Sequence, residues 1–148
     1  METSNHTQDI FFDPDVYKPP IGDIATPIFS DVRGTIQRIE IASQKINLLY
    51  TKKGFMRSGD LHKNTQFDFV FKGQLELWLR RNNQDIKQIY GPNSFVEIEP
   101  GIPHLFKFLE DTLMAEWWNG PFEAWYYRPY REIIEAEFEK MAEARKKS

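Results

Sequence analysis

From Thr26 to Trp118 the sequence alternates apolar and polar residues with a period of two, and turn-forming residues interrupt it about every 8–12 positions. Successive side chains on a strand point to opposite faces, so this rhythm demands short antiparallel strands rather than helices. "QFDFVFKGQLELWLR" is the clearest case. Phe67, Phe69 and Phe71 share one face, and Gln66, Asp68 and Val70 share the other. After a Lys72-Gly73 turn, Leu75, Leu77 and Leu79 alternate with Gln74, Glu76 and Trp78. "GTIQRIEI", "KINLLYT", "DIKQIY", "SFVEIE", "HLFKFL" and "TLMAEWW" read as further strands, separated by "RNNQ", "GPN", "PGIP" and Glu110-Asp111. The expectation is an all-β sandwich or barrel.

The period changes only at the end. In "RPYREIIEAEFEKMAEARKK", Ile134, Phe138 and Met141 recur at helical spacing, Pro129 suits a helix start, and Arg145, Lys146 and Lys147 suit its end. Residues 1–22 hold three of the nine prolines and read as an N-terminal arm. The expected organisation is an arm over 1–22, a β barrel over 23–128 and one helix over 129–148. No internal repeat or low-complexity segment is present.

Composition narrows the function classes. A chain of 148 residues buries roughly 68–70% of its extended surface, enough for one core. Without cysteine there is no disulfide, thiolate metal site or thiol nucleophile. A net charge of −3 argues against a nucleic-acid footprint, and no apolar run is long enough for a membrane span. The first residues, "METSNHTQDIFFDPD", lack the basic and apolar regions of a secretory signal, so a cytoplasmic protein is expected. Twelve Phe, six Tyr and four Trp are many rings for this length; they can fill a core, line a pocket or cover a partner surface. The band "AEWWNGPFEAWYY" is expected at an interface or pocket rim.

Of three histidines, His6 lies in the arm, which leaves His62 and His104 for a site. Asp60 and His62 are two apart and share a strand face, so the carboxylate can fix the imidazole tautomer and raise its basicity, as a general base requires. His104 and Gln66 would complete a polar ring inside the barrel. Asp60, His62 and His104 also form a donor set of the kind that holds a divalent transition metal. Arg33, Arg57 and Lys63 are candidate phosphate contacts, and Tyr50, Trp78, Trp118 and Tyr90 are candidate stacking surfaces.

The spacing around these residues resembles the cupin family. Its first motif, G-x5-H-x-H-x3–4-E-x6-G, is matched in every interval by Gly54, Asp60, His62, Gln66 and Gly73, with Asp for the first His and Gln for the Glu. The second motif, G-x5-P-x-G-x2-H-x3-N, keeps Gly101 and His104. It carries Asn93, Glu99 and Phe108 at the other fixed positions, with Pro100 one residue out of place. "FSDVRGTIQRIE", "MRSGDLHKNTQF" and "EAWYYRPYREIIE" are further similar to segments of the cupins that act as dTDP-sugar 3,4-ketoisomerases. The resemblance implies a jelly-roll barrel with a pocket between its sheets, a homodimer, and an isomerase or epimerase. The enzyme would work by proton abstraction beside a carbonyl on a nucleotide-linked sugar, without a metal. His62, Asp60 and His104 would be the catalytic group. Two other functions fit a cupin: a metal-dependent dioxygenase or lyase, and a non-catalytic module binding carbohydrate or another small molecule.

Overall fold

A computed structural model describes residues 10–19 and 27–147. After a 3-10 turn at Ile10–Phe12, twelve strands follow: β1 (Val16–Tyr17), β2 (Ile28–Asp31), β3 (Gly34–Ile41), β4 (Gln44–Thr51), β5 (Met56–His62), β6 (Gln66–Lys72), β7 (Leu75–Arg81), β8 (Gln84–Tyr90), β9 (Phe95–Ile98), β10 (His104–Phe108), β11 (Thr112–Trp118) and β12 (Ala124–Tyr127). One helix, α1 (Arg128–Lys147), ends the described chain. The strands form two six-stranded sheets, ordered β1-β12-β5-β10-β7-β8 and β2-β3-β4-β11-β6-β9. All pairings are antiparallel. Part of the stretch read as an arm, Val16–Tyr17, adds a strand beside β12. His6 lies outside the described residues.

Turn chemistry explains the tight hairpins. Ala42-Ser43 joins β3 to β4 and Asn82-Asn83 joins β7 to β8, with all four residues at positive φ, as two-residue turns matching the strand twist require. Asparagine tolerates that conformation best among residues with a side chain.

Two cores follow from the alternation. Leu49, Val70, Leu75, Leu77, Val96, Ile98, Phe106, Phe108 and Met114 pack between the sheets. Met56, Leu61, Leu105, Tyr127, Tyr130 and Ile134 form a second cluster where α1 covers the outer face of the first sheet. Burying a side chain such as Ile134 there stabilises by about 1.5–3 kcal/mol. Among the described residues, no helix is long and apolar enough to cross a membrane.

The phenylalanine stripe of β6 points outward. Gln66, Asp68 and Val70 are buried between the sheets, whereas Phe71 is 45% exposed and Phe95, the cross-strand partner of Phe69 on the edge strand β9, 54%. Phe67 stacks on Phe95 and on Trp117 of β11, so the outer face of the second sheet carries a platform of rings.

Candidate functional site

The site lies between the sheets, and a β-bulge makes it. On β5, Met56 and Leu61 face α1 while Asp60 and His62 face inward. Strict alternation would send Arg57 to the side opposite Asp60, three residues on. The pairing with β10 slips between His104 and Leu105, passing from His104↔Asp60 to Leu105↔Ser58 and leaving Gly59 without a partner. Ser58 and Gly59 hold φ of 87° and 71°. The extra residue re-aims the strand, so Arg57, Ser58, Asp60 and His62 all line one cavity.

Asp60, His62 and His104 meet there, with their ligating atoms within 4.8 Å of one another. His62 Nδ1–H donates to the Glu123 carbonyl at 2.9 Å, and His104 Nδ1–H donates to the Ile102 carbonyl at 2.9 Å. The two Nε2 atoms lie 3.6 Å (His62) and 3.3 Å (His104) from Asp60 Oδ1. Ser58 Oγ–H also donates to that oxygen, at 2.6 Å. His62 is boxed by Trp118 and Phe122, with ring centroids 5.2 and 5.5 Å away.

Behind this trio runs a buried polar chain. Gln66 spans the 3.1 Å to His104 Nε2 and the 3.0 Å to Asp68 Oδ1 through its amide. Burial pushes His104 down to about 4, which leaves it neutral at pH 7, and raises the Asp68 carboxyl well above the ordinary carboxylate range. Gln66 Nε2–H donates to both Asp68 carboxyl oxygens, at 3.0 and 3.2 Å, and Gln66 Oε1 faces His104 Nε2.

The cavity, about 220 Å³, has one wall from each sheet. Asp60, His62 and Tyr126 stand on the first; Arg38, Asn47, Glu116 and Trp118 stand on the second. Arg57 is 5% exposed, and desolvation pulls its guanidinium down to about 10, with Arg33 acting the same way. Its Nε–H donates to Thr51 Oγ1 at 2.7 Å, but its Nη2 has no partner. Among the described residues, the buried side-chain nitrogens and oxygens without a partner are Arg57 Nη2, Trp118 Nε1 and Arg131 Nε. All three are N–H donors on residues lining this cavity. A cleft of about 850 Å³, lined by Lys45, Asn119 and Pro121 among others, shares Arg38, Asn47, Trp118 and Phe122 with it.

The structure therefore gathers Asp60, His62, His104, Gln66, Arg57, Arg33 and Trp118 of the expected site residues. Arg33 is tied by Nε and Nη2 to Asp31, at 3.0 and 2.7 Å. Three expectations are corrected. Lys63, one residue past His62, takes the opposite face and lies over Trp125 and Phe11. Tyr50 is outside the cavity lining, on the outer face of the second sheet, its hydroxyl 3.4 Å from Asp111. Trp78 packs edge-on against Tyr130 beneath α1. Sequence reasoning missed Glu116, Asn47, Phe122, Tyr126 and Arg131. Glu116 had a signal: it is an acid at the inward parity of Thr112, Met114 and Trp118.

No protein-family model and no curated protein matches the sequence. Solved structures do match in fold. The capsular polysaccharide assembling protein CapF of Staphylococcus aureus is 19% identical, with a TM-score of 0.57, over 67% of this chain and 33% of CapF. A variant of oxalate decarboxylase from Bacillus subtilis is 13% identical, with a TM-score of 0.58, over 73% of this chain and 33% of that one. This chain thus spans about a third of the length of each. Two facing antiparallel sheets and these likenesses define the fold: the chain is a two-sheet jelly roll, the fold of these neighbours, with one C-terminal helix.

Proposed function

We propose that this jelly roll is an acid–base enzyme of the sugar isomerase or epimerase type, abstracting a proton beside the carbonyl of a nucleotide-linked sugar. The observation that carries the reading is the orientation of His62. Its Nδ1–H is spent on the Glu123 carbonyl, which leaves Nε2, 3.6 Å from Asp60 Oδ1 in the cavity wall, as the nitrogen free for proton transfer. That is the arrangement a general base needs, and Asp60 offsets the charge as the imidazole takes a proton. The hydroxyl of Tyr126, on the cross-strand partner of Asp60, can return a proton on the same side.

The unpartnered donors of Arg57, Trp118 and Arg131 suit a ligand rich in acceptor oxygens, such as a sugar and its phosphate. The inner cavity suits the reacting ring, and the adjoining cleft, with Lys45 and the Trp118 and Phe122 rings, suits the nucleotide. CapF, named for assembling a polysaccharide, is a cupin likeness from carbohydrate chemistry. The test is a dTDP-linked 4-keto-6-deoxyhexose incubated in D2O and followed by NMR. Wild-type protein is expected to exchange hydrogen beside the carbonyl. His62→Ala should lose exchange by at least on the order of 100-fold with an unchanged melting temperature; undiminished exchange would sink the mechanism.

A second reading rests on the same trio. Two imidazole Nε2 atoms and a carboxylate oxygen converge, each imidazole oriented by a backbone carbonyl, which is how proteins present histidine to a metal. The residues fit a divalent transition ion, with Asp60, His62 and His104 as ligands and Gln66 as a neutral fourth neighbour. A bound ion would polarise the substrate carbonyl as a Lewis acid. Stoichiometric metal in protein purified without chelator favours this reading; its absence leaves the proton-transfer site alone.

A further inference from the structure

The cavity has a second carboxyl group, which the mechanism above leaves idle. Glu116 projects from β11, in the sheet facing the one that carries His62, and both residues line the same cavity. Asn47 Nδ2–H donates to Glu116 Oε2 at 3.1 Å, which fixes the side chain and engages that oxygen. A planar enolate held between the two walls would have His62 over one face and Glu116 over the other.

We propose that Glu116 is the catalytic acid that protonates the face of the enolate opposite to the one His62 deprotonates, so that the enzyme inverts the carbon beside the carbonyl. In the forward step His62 Nε2 takes the proton, and the C–H electron pair moves into the carbonyl to give the enolate. The enolate then collapses and the same carbon takes the Glu116 proton from the other side. His62 is left protonated and Glu116 ionised, and exchange with water restores both. The inference rests on the acid–base reading and deepens it: it makes the reaction an epimerisation rather than a same-face transfer through Tyr126.

The surroundings support a neutral acid at this position. Glu116 is the direct cross-strand partner of Asp68. Desolvation, with Asp60 nearby, raises its carboxyl above the ordinary value, while Asn47, His62 and Arg57 pull the other way.

Glu116→Gln keeps the Asn47 contact and removes the proton, and its melting temperature should match the wild type. With the dTDP-linked 4-keto-6-deoxyhexose in D2O, the variant is expected to keep hydrogen exchange within about tenfold, while inversion falls on the order of 100-fold or more. A merely structural role would depress both equally. An infrared difference spectrum, wild type minus Glu116→Gln at pH 7, should contain a protonated-carboxyl band. Inversion at the wild-type rate in the variant, exchange without inversion in the wild type, or absence of that band overturns the inference. A wild type that exchanges nothing overturns the underlying reading, and this one with it.

Discussion

At the scale of single residues, the site is a set of polar groups whose burial decides their charge. His104 shows this most sharply, because its folded value of about 4 lies below the ordinary 6.5. The unfolded chain therefore binds a proton between those values that the folded chain refuses. Stability from this group is complete above pH 6.5 and is lost as pH falls toward 4, by roughly 3 kcal/mol in all. Asp68 acts with opposite sign, since its raised carboxyl favours the folded state at low pH. The comparison that isolates His104 is urea unfolding of wild type and His104→Gln at pH 6.5, 5.5 and 4.5. The wild type should lose stability on acidification relative to the variant, and parallel profiles would refute the assignment. The sequence made His62 and His104 legible because motif intervals and two-residue parity both pointed inward. It did not disclose that Asp68, two residues from Gln66, extends the chain behind His104, because a buried carboxyl looks in sequence like any polar member of a strand. Lys63 misled for the reverse reason: its charge suggested phosphate, while its odd position sent it outward.

At the scale of elements, strands and hairpins were readable because alternation and turn residues agree along β6 and β7. The bulge on β5 was not, since it is a property of pairing between β5 and β10 rather than of either strand alone. Its consequence is large, because it puts Arg57 and Asp60 into one cavity. Gly59 lets α1 close over the bulge: a Cβ there would meet Ile134 Cδ1 at 2.8 Å and Arg131 Cδ at 2.9 Å, in a backbone conformation that resists side chains. Gly59→Ala is expected to cost about 2 kcal/mol in urea unfolding, from strain and from displacement of α1. Because Arg131 Nη1–H donates to the Ser58 carbonyl, the same change should weaken ligand binding at the cavity. A variant as stable as the wild type would show that α1 is not seated on the bulge.

At the scale of the whole molecule, the two sheets differ in what covers them. The first has α1 on its outer face; the second shows Phe67, Phe69, Phe71, Phe95 and Trp117, with Lys72 and Glu97 at the rim. The parity of β6 revealed that these phenylalanines share a face, but not which face, because either side of a jelly roll can be apolar. Four or five strands about 4.8 Å apart, seven residues long, present roughly 500 Å² in plan. That approaches the ~800 Å² of accessible surface each partner buries in a stable pair. We propose a second copy of this chain as the occupant, since two copies of a nearly uncharged face would meet without opposing like charges and bury their rings mutually. Light scattering at tens of micromolar should then give twice the chain mass of 17.6 kDa. Phe95→Lys, at an edge position already half exposed, should give the single-chain mass with an unchanged far-ultraviolet circular dichroism spectrum. A wild type that scatters as a single chain would assign this aromatic face to some other partner.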